Sequence, residues 1–142
     1  MAKFNNVGLE EVERQLLFQR DAALKAVPKM IDAGVAVLIP AQQAEAAKLN
    51  ISKRSKGALV ESIKADKLIV AGSEQYREVF PHGTDKSHTK KGVRNAEKGF
   101  VLEYGRSNTQ GTRWMSRANE KAADAVVEAQ LAVWEGETNG SG

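Results

Sequence analysis

The sequence predicts an α+β fold: a long N-terminal helix and a C-terminal helix packed on one face of a small antiparallel sheet of three to four strands, with a long basic loop. Three observations predict it. Apolar residues recur at helical spacing near both ends, short β-branched or alternating runs fill the middle, and a Pro-, Gly- and Lys-rich stretch interrupts those runs.

The first element is expected over residues 9–26. Leu9, Val12, Leu16, Ala23 and Val27 follow helical spacing, and Glu10, Glu11 and Glu13 sit where a helix N-terminus favours negative charge. Pro28 reads as a kink or a restart. The next segment is ambiguous: VAVLI alone reads as a strand, while Ile31, Val35, Leu38, Gln42, Ala46 and Leu49 keep helical spacing. The alanine-rich AQQAEAAKL favours one helix from about 28 to 49, bent at Pro40. ALVESI then predicts one or two further helical turns.

Three strands are expected next. KLIVAG (67–72) is rich in β-branched residues, and YREVF (76–80) brings Tyr76, Val79 and Phe80 near a core. GFVLEY (99–104) sets Phe100 and Leu102 on one face and Val101 and Glu103 on the other. Residues 82–98 contain almost nothing apolar and predict a mobile, exposed loop. The last helix is expected to start at Ser116 as N-cap and to end at Gly136. Its stripe of Ala118, Ala122, Ala125, Val126, Ala129, Ala132 and Val133 is mostly small, which permits close approach to a neighbour.

With 142 residues, 42% of them hydrophobic and 27% charged, the chain suits a single soluble domain. That domain is expected over 9–135, between a flexible 1–8 and a disordered tail at 136–142. There is no cysteine, which excludes a disulfide framework, a thiol nucleophile and a thiolate zinc site, and fits a reducing cytoplasm. MAKFNNVG lacks the apolar core of a signal peptide. The longest apolar run falls far short of the roughly 20 residues of a membrane span, so no membrane partner is expected.

Charge is unevenly spread. Residues 1–47 carry 5 Lys/Arg against 6 Asp/Glu, residues 48–117 carry 15 against 7, and residues 118–142 carry 1 against 5. The three net charges are −1, +8 and −4, matching the formal +3 of the whole. A basic middle between acidic ends points to a polyanion or to charge-complementary contacts between copies; ordinary surface charge is the plain alternative.

No chemistry-bearing constellation emerges. His82 and His88 stand six apart with Asp85 between them, but nothing fixes a metal geometry. GRSNTQG lacks the lysine and the spacing of a phosphate loop. Ser107 and Thr109 beside Arg106 have no general base in view. No catalytic residue, cofactor or metal is therefore expected, and the chain reads as no enzyme; a hydrolase or nuclease using His82 and His88 is the residual reading.

The cations Lys86, Lys90, Lys91, Arg94 and Lys98 are candidates for contact with duplex DNA or a partner. Without interleaved aromatics they offer no base readout, and a solvated loop explains them equally well. The polar loop after GFVLEY supplies a candidate docking element: Tyr104, Gly105, Arg106, Asn108, Gln110 and Trp114. Trp114 and Trp134 mark the two ends of the last helix and read either as covers of the sheet or, for Trp114, as an anchor of that loop.

In order and spacing, these features resemble the small neck, or head–tail joining, proteins of long-tailed bacteriophages, known also as minor tail components. SKGALVESI (55–63) is similar to that family's basic element TG-x-L-x-x-SI, with Ser55-Lys56 before Gly57. Phe100, Glu103, Tyr104 and Gly105 fall in place on its strand-and-glycine element, and Trp114-Met115 occupies the aromatic position before the final helix. The resemblance covers roughly residues 20–135. Arg106 stands where the family commonly has threonine, a Pro-Ala-Arg-Pro run is missing, and 82–98 is longer and more basic. The resemblance implies a structural virion protein, made in the host cytoplasm. It would form a ring of its own copies at the head–tail interface, joined to connector and tail proteins, with DNA passing through. A tail-terminator or tail-completion role is the near alternative; a non-specific nucleic-acid-binding module using the basic middle is the alternative of another class.

Overall fold

The structure, a computed structural model, describes residues 2–139. It is α+β, with four helices and short antiparallel strand pairs. Helix α1 (Ala2–Ala46) and helix α4 (Trp114–Asn139) form an antiparallel rod, because Lys29 meets Glu137 while Gln42 meets Asn119. Most of the chain between them packs as a head at the end where α1 stops and α4 starts, while Arg77 reaches back along the rod to Asp32 (2.7 Å).

Helix α1 is one helix of 45 residues, about 67 Å long, in place of two segments separated near Pro28. Pro28 and Pro40 lie inside it. Each removes an N–H bond to the carbonyl four residues back, at Leu24 and Ala36, and both of those residues are exposed, so water can take the freed carbonyls. Of the apolar stripe expected at its start, Leu9, Val12 and Leu16 lie outside the described side chains. The start at Ala2 also replaces the start expected at residue 9.

The rod is held by buried small residues separated by multiples of four. Ala26, Gly34 and Ala46 are buried on α1, as are Ala118 and Ala122 on α4. Rows of that spacing interdigitate as ridges in grooves, and small side chains let the backbones come close. Near the head the rod carries a buried carboxylate. Glu45 accepts from Lys121 (2.6 Å) and Lys48 (3.3 Å), and the Lys121 bond holds its carboxyl below the usual value against the opposing effect of burial.

Helix α4 begins at Trp114 rather than at Ser116 and runs through Gly136 to Asn139. The tail expected at 136–142 is therefore helical as far as it is described, and residues 140–142 lie outside the described residues. Helix α2 (Lys53–Ser62) is longer than ALVESI implied; the Ser52 hydroxyl caps it by accepting from Ser55 N (3.3 Å).

The expected sheet of three to four strands is corrected to four separate two-stranded ribbons among the described residues. β1 (Ile63–Ala65) pairs with β4 (Val79–Pro81), with Ile63 opposite Pro81. β2 (Ile69–Ala71) pairs with β3 (Glu74–Tyr76). β5 (Thr84–Asp85) pairs with β6 (Val93–Arg94), and β7 (Gly105–Arg106) with β8 (Thr109–Gln110). Strands of two or three residues present no continuous face, so α1 and α4 pack mainly on each other, and α1 meets the β1–β4 ribbon near its C-terminal end, through Gln42 and Ala46.

The second correction concerns GFVLEY. Residues 95–104 form helix α3 (Asn95–Tyr104), where a strand over 99–104 was expected. Six residues of apparent alternation do not separate the two periods, and the helix-favouring Ala96, Glu97 and Lys98 precede them. Gly99 lies inside α3 against Pro81 and the Trp114 ring, where a side chain would meet both. The core sits here, with Ala46, Leu49, Leu59, Ile63 and Trp114 buried and Leu102, Val79 and Met115 packed around them. Among the described residues no helix is long and apolar enough to cross a membrane.

Candidate interaction surface: a basic hairpin and the joint between the last two helices

Within residues 82–98, 86–92 form an exposed loop as expected, but the short β5–β6 pair closes it into a hairpin and residues 95–98 are the first turn of α3. β5 and β6 pair with Thr84 opposite Arg94, and Asn95 extends the anchoring by donating from its backbone N to Gly83 O (2.9 Å) and from Nδ2 to His82 O (2.9 Å). At the base, Lys98 Nζ donates to Asp85 Oδ2 (2.7 Å) and Ser55 Oγ (2.9 Å). Both side chains of this ion pair are largely buried. Lys98, and after it Ser87, hold the Asp85 carboxyl well below the usual carboxylate range.

Lys98 is thus an internal fastener, corrected from a candidate DNA contact. Lys86, Lys90, Lys91 and Arg94 are all exposed, and none forms an ion pair among the described residues. Lys90 and Lys91 lie near the tip, where Gly92 N donates to Thr89 Oγ1 (2.9 Å). The two histidines have different neighbours. His82 stacks on Phe80 at 4.0 Å between ring centres, with Nδ1 2.7 Å from Phe80 O, and His88 Nε2 lies 3.3 Å from Ser52 Oγ. Their partners come from different parts of the chain, Phe80 in β4 and Ser52 before α2.

The polar loop from Gly105 to Arg113 is a joint. β7 and β8 turn over Ser107 and Asn108, and both flanking glycines are sterically required. Gly105 adopts a φ of 84°, and a Cβ there would overlap Thr109 O and Gly111 N. A Cβ on Gly111 would overlap Glu103 O and the Tyr104 carbonyl. Thr112 bonds Leu102 O through both its N and Oγ1 (2.7 Å each), and Arg113 N donates to Glu103 O (3.1 Å).

Glu103 is the residue that sequence reasoning missed. It is buried at the end of α3, and its carboxylate accepts from Met115 N (2.6 Å), Ser116 N (3.2 Å) and the Ser116 hydroxyl. It therefore caps α4 from the neighbouring helix, satisfying amides that a helix N-terminus leaves open. No local spacing signals this, because cap and capped helix are a dozen residues apart. Trp114 belongs to the same joint: it is 1% exposed, and its indole N–H donates to Gly99 O (3.0 Å).

Of the expected docking residues, Trp114 is thus internal and Gly105 structural, while Tyr104, Arg106, Asn108 and Gln110 are exposed. Tyr104, at 78% exposure, stacks with the exposed Phe100 at 6.3 Å between ring centres. Phe100 was expected in a sheet; as part of α3 it stands one turn before Tyr104 on the same outer face.

No family model, curated protein or solved structure matches the chain.

Proposed function

We propose that the chain is a structural component of the bacteriophage neck, forming a ring at the head–tail interface that joins the tail to the capsid connector and lets DNA pass. One observation carries the reading: an anchored hairpin that holds four unpaired cations away from the core. A tongue of this kind offers a fixed positive surface to phosphates without base readout. The resemblance over residues 20–135 supplies the setting. A tail-terminator or tail-completion position uses the same surfaces. The module that binds nucleic acid on its own is favoured by the same hairpin, and predicts salt-dependent duplex binding by the isolated protein.

The test is localisation. Purified particles of the phage that encodes the chain, carrying a tagged copy and imaged in negative stain with a gold-labelled antibody, are expected to show label at the head–tail junction. Absence of the protein from mature particles overturns the reading.

A further inference from the structure

Helix α4 turns Ala118, Ala122 and Val126 inward, and its outer side carries a second row. At 100° per residue, Glu120, Asp124, Val127, Glu128, Leu131 and Glu135 fall within a sector of about 100°. All six are exposed, Val127 at 53% and Leu131 at 50%. None of these four carboxylates forms an ion pair among the described residues. The row is thus two large aliphatic side chains framed by uncompensated negative charge.

The head carries the opposite surface. Phe100 and Tyr104 expose stacked rings, and beside them Val93, Val101 and Arg106 line a groove of about 220 Å³ between α2 and α3. Arg106 has no acidic partner among the described residues. This face is apolar, with the Arg106 cation and the exposed Glu97 carboxylate at its edge; it lies in a segment of net charge +8, whereas the segment carrying the α4 row is −4.

We infer that the Phe100–Tyr104–Arg106 face of one copy docks on the Val127–Leu131 row of α4 in the next copy. Apolar meets apolar, and the Arg106 guanidinium lies toward Asp124 and Glu128, the residues that flank the aliphatic pair. The two faces are different patches of the molecule, so the contact is heterologous. It closes into a ring when the rotation per copy divides a full turn, and extends as a filament when it does not. The inference rests on the ring-forming reading above and names the surfaces that form it.

The test is sedimentation of the full chain across a concentration series, at low ionic strength and at about 1 M salt, where screening falls to about 3 Å. Wild type is expected to assemble beyond a dimer at low salt and to dissociate at high salt. Arg106→Glu, or Asp124→Lys with Glu128→Lys, is expected to raise the apparent dissociation constant about tenfold or more. Combining all three in one chain is expected to recover most of that loss, and circular dichroism is expected to show unchanged helix content throughout. A wild type that stays a single copy, or stops at a dimer, overturns the inference; so do variants that assemble as wild type does. Assembly that follows these rules in a protein absent from virions overturns the neck reading and leaves the contact standing. Presence at the neck with no effect of the variants does the reverse.

Discussion

Two glycine-containing polar segments, 82–94 and 105–113, look alike on paper and differ in the folded chain. In the second, the two ends turn inward, while the turn itself, Arg106 to Gln110, stays exposed. Thr112 and Arg113 bond the end of α3, Glu103 caps α4, and Gly105 and Gly111 let two backbone stretches touch. In the first, Lys98 meets Asp85 at the base and His88 reaches Ser52, and four cations remain on the outside. One segment is a joint and the other a tongue. A polar loop therefore announces function only after its groups have been assigned to internal partners, and the fraction left over is the candidate surface.

The largest expected effect falls on the joint. Trp114→Ala removes the biggest buried side chain and its bond to Gly99, and is expected to lower stability by about 4 kcal/mol in urea unfolding. Gly111→Ala forces a side chain into the Glu103 and Tyr104 carbonyls and is expected to cost about 3 kcal/mol. A loss under about 1 kcal/mol at either position means that the joint is loose and the contrast fails.

The base of the tongue comes next. Lys98→Met leaves the buried Asp85 carboxylate without its cation and is expected to cost about 3 kcal/mol at neutral pH. The pH dependence follows from the depressed carboxyl of Asp85. Its contribution is present above the unfolded value, about 3.9, and is lost as pH falls through the lower folded value. In a carboxyl-resolved NMR titration, Asp85 is expected to stay ionised below that ordinary value in wild type and to titrate closer to it in Lys98→Met. Equal midpoints in the two proteins contradict the account.

A smaller effect is expected at the cap. Glu103→Gln keeps the size but weakens the acceptor facing Met115 and Ser116, and is expected to cost about 1.5 kcal/mol. Hydrogen exchange is expected to accelerate in the first turn of α4 before the rest of that helix.

Much of this architecture is legible in the chain. The alanine rows predict α4 and its close neighbour, and KLIVAG contains the strand Ile69–Ala71. The missing parts are those that depend on distant partners. Pro28 and Pro40 argue locally for breaks, yet packing along the rod carries a single helix through both. GFVLEY is too short for its period to be decided, and only the Gly99–Trp114 contact shows why a glycine sits inside that helix. Lys98 belongs by composition with Lys90 and Lys91. Only the fold reveals that its charge is already used.

The central claim is that the tongue serves through charge it does not need for folding. The direct measurement is complementation with Lys90→Glu, Lys91→Glu and Arg94→Glu combined, reading both the isolated protein's unfolding and particle assembly by electron microscopy. The account predicts stability within about 0.5 kcal/mol per substitution of wild type, together with unjoined heads and tails or particles that fail to deliver DNA. Joined, fully infectious particles would contradict it, and so would a large loss of stability.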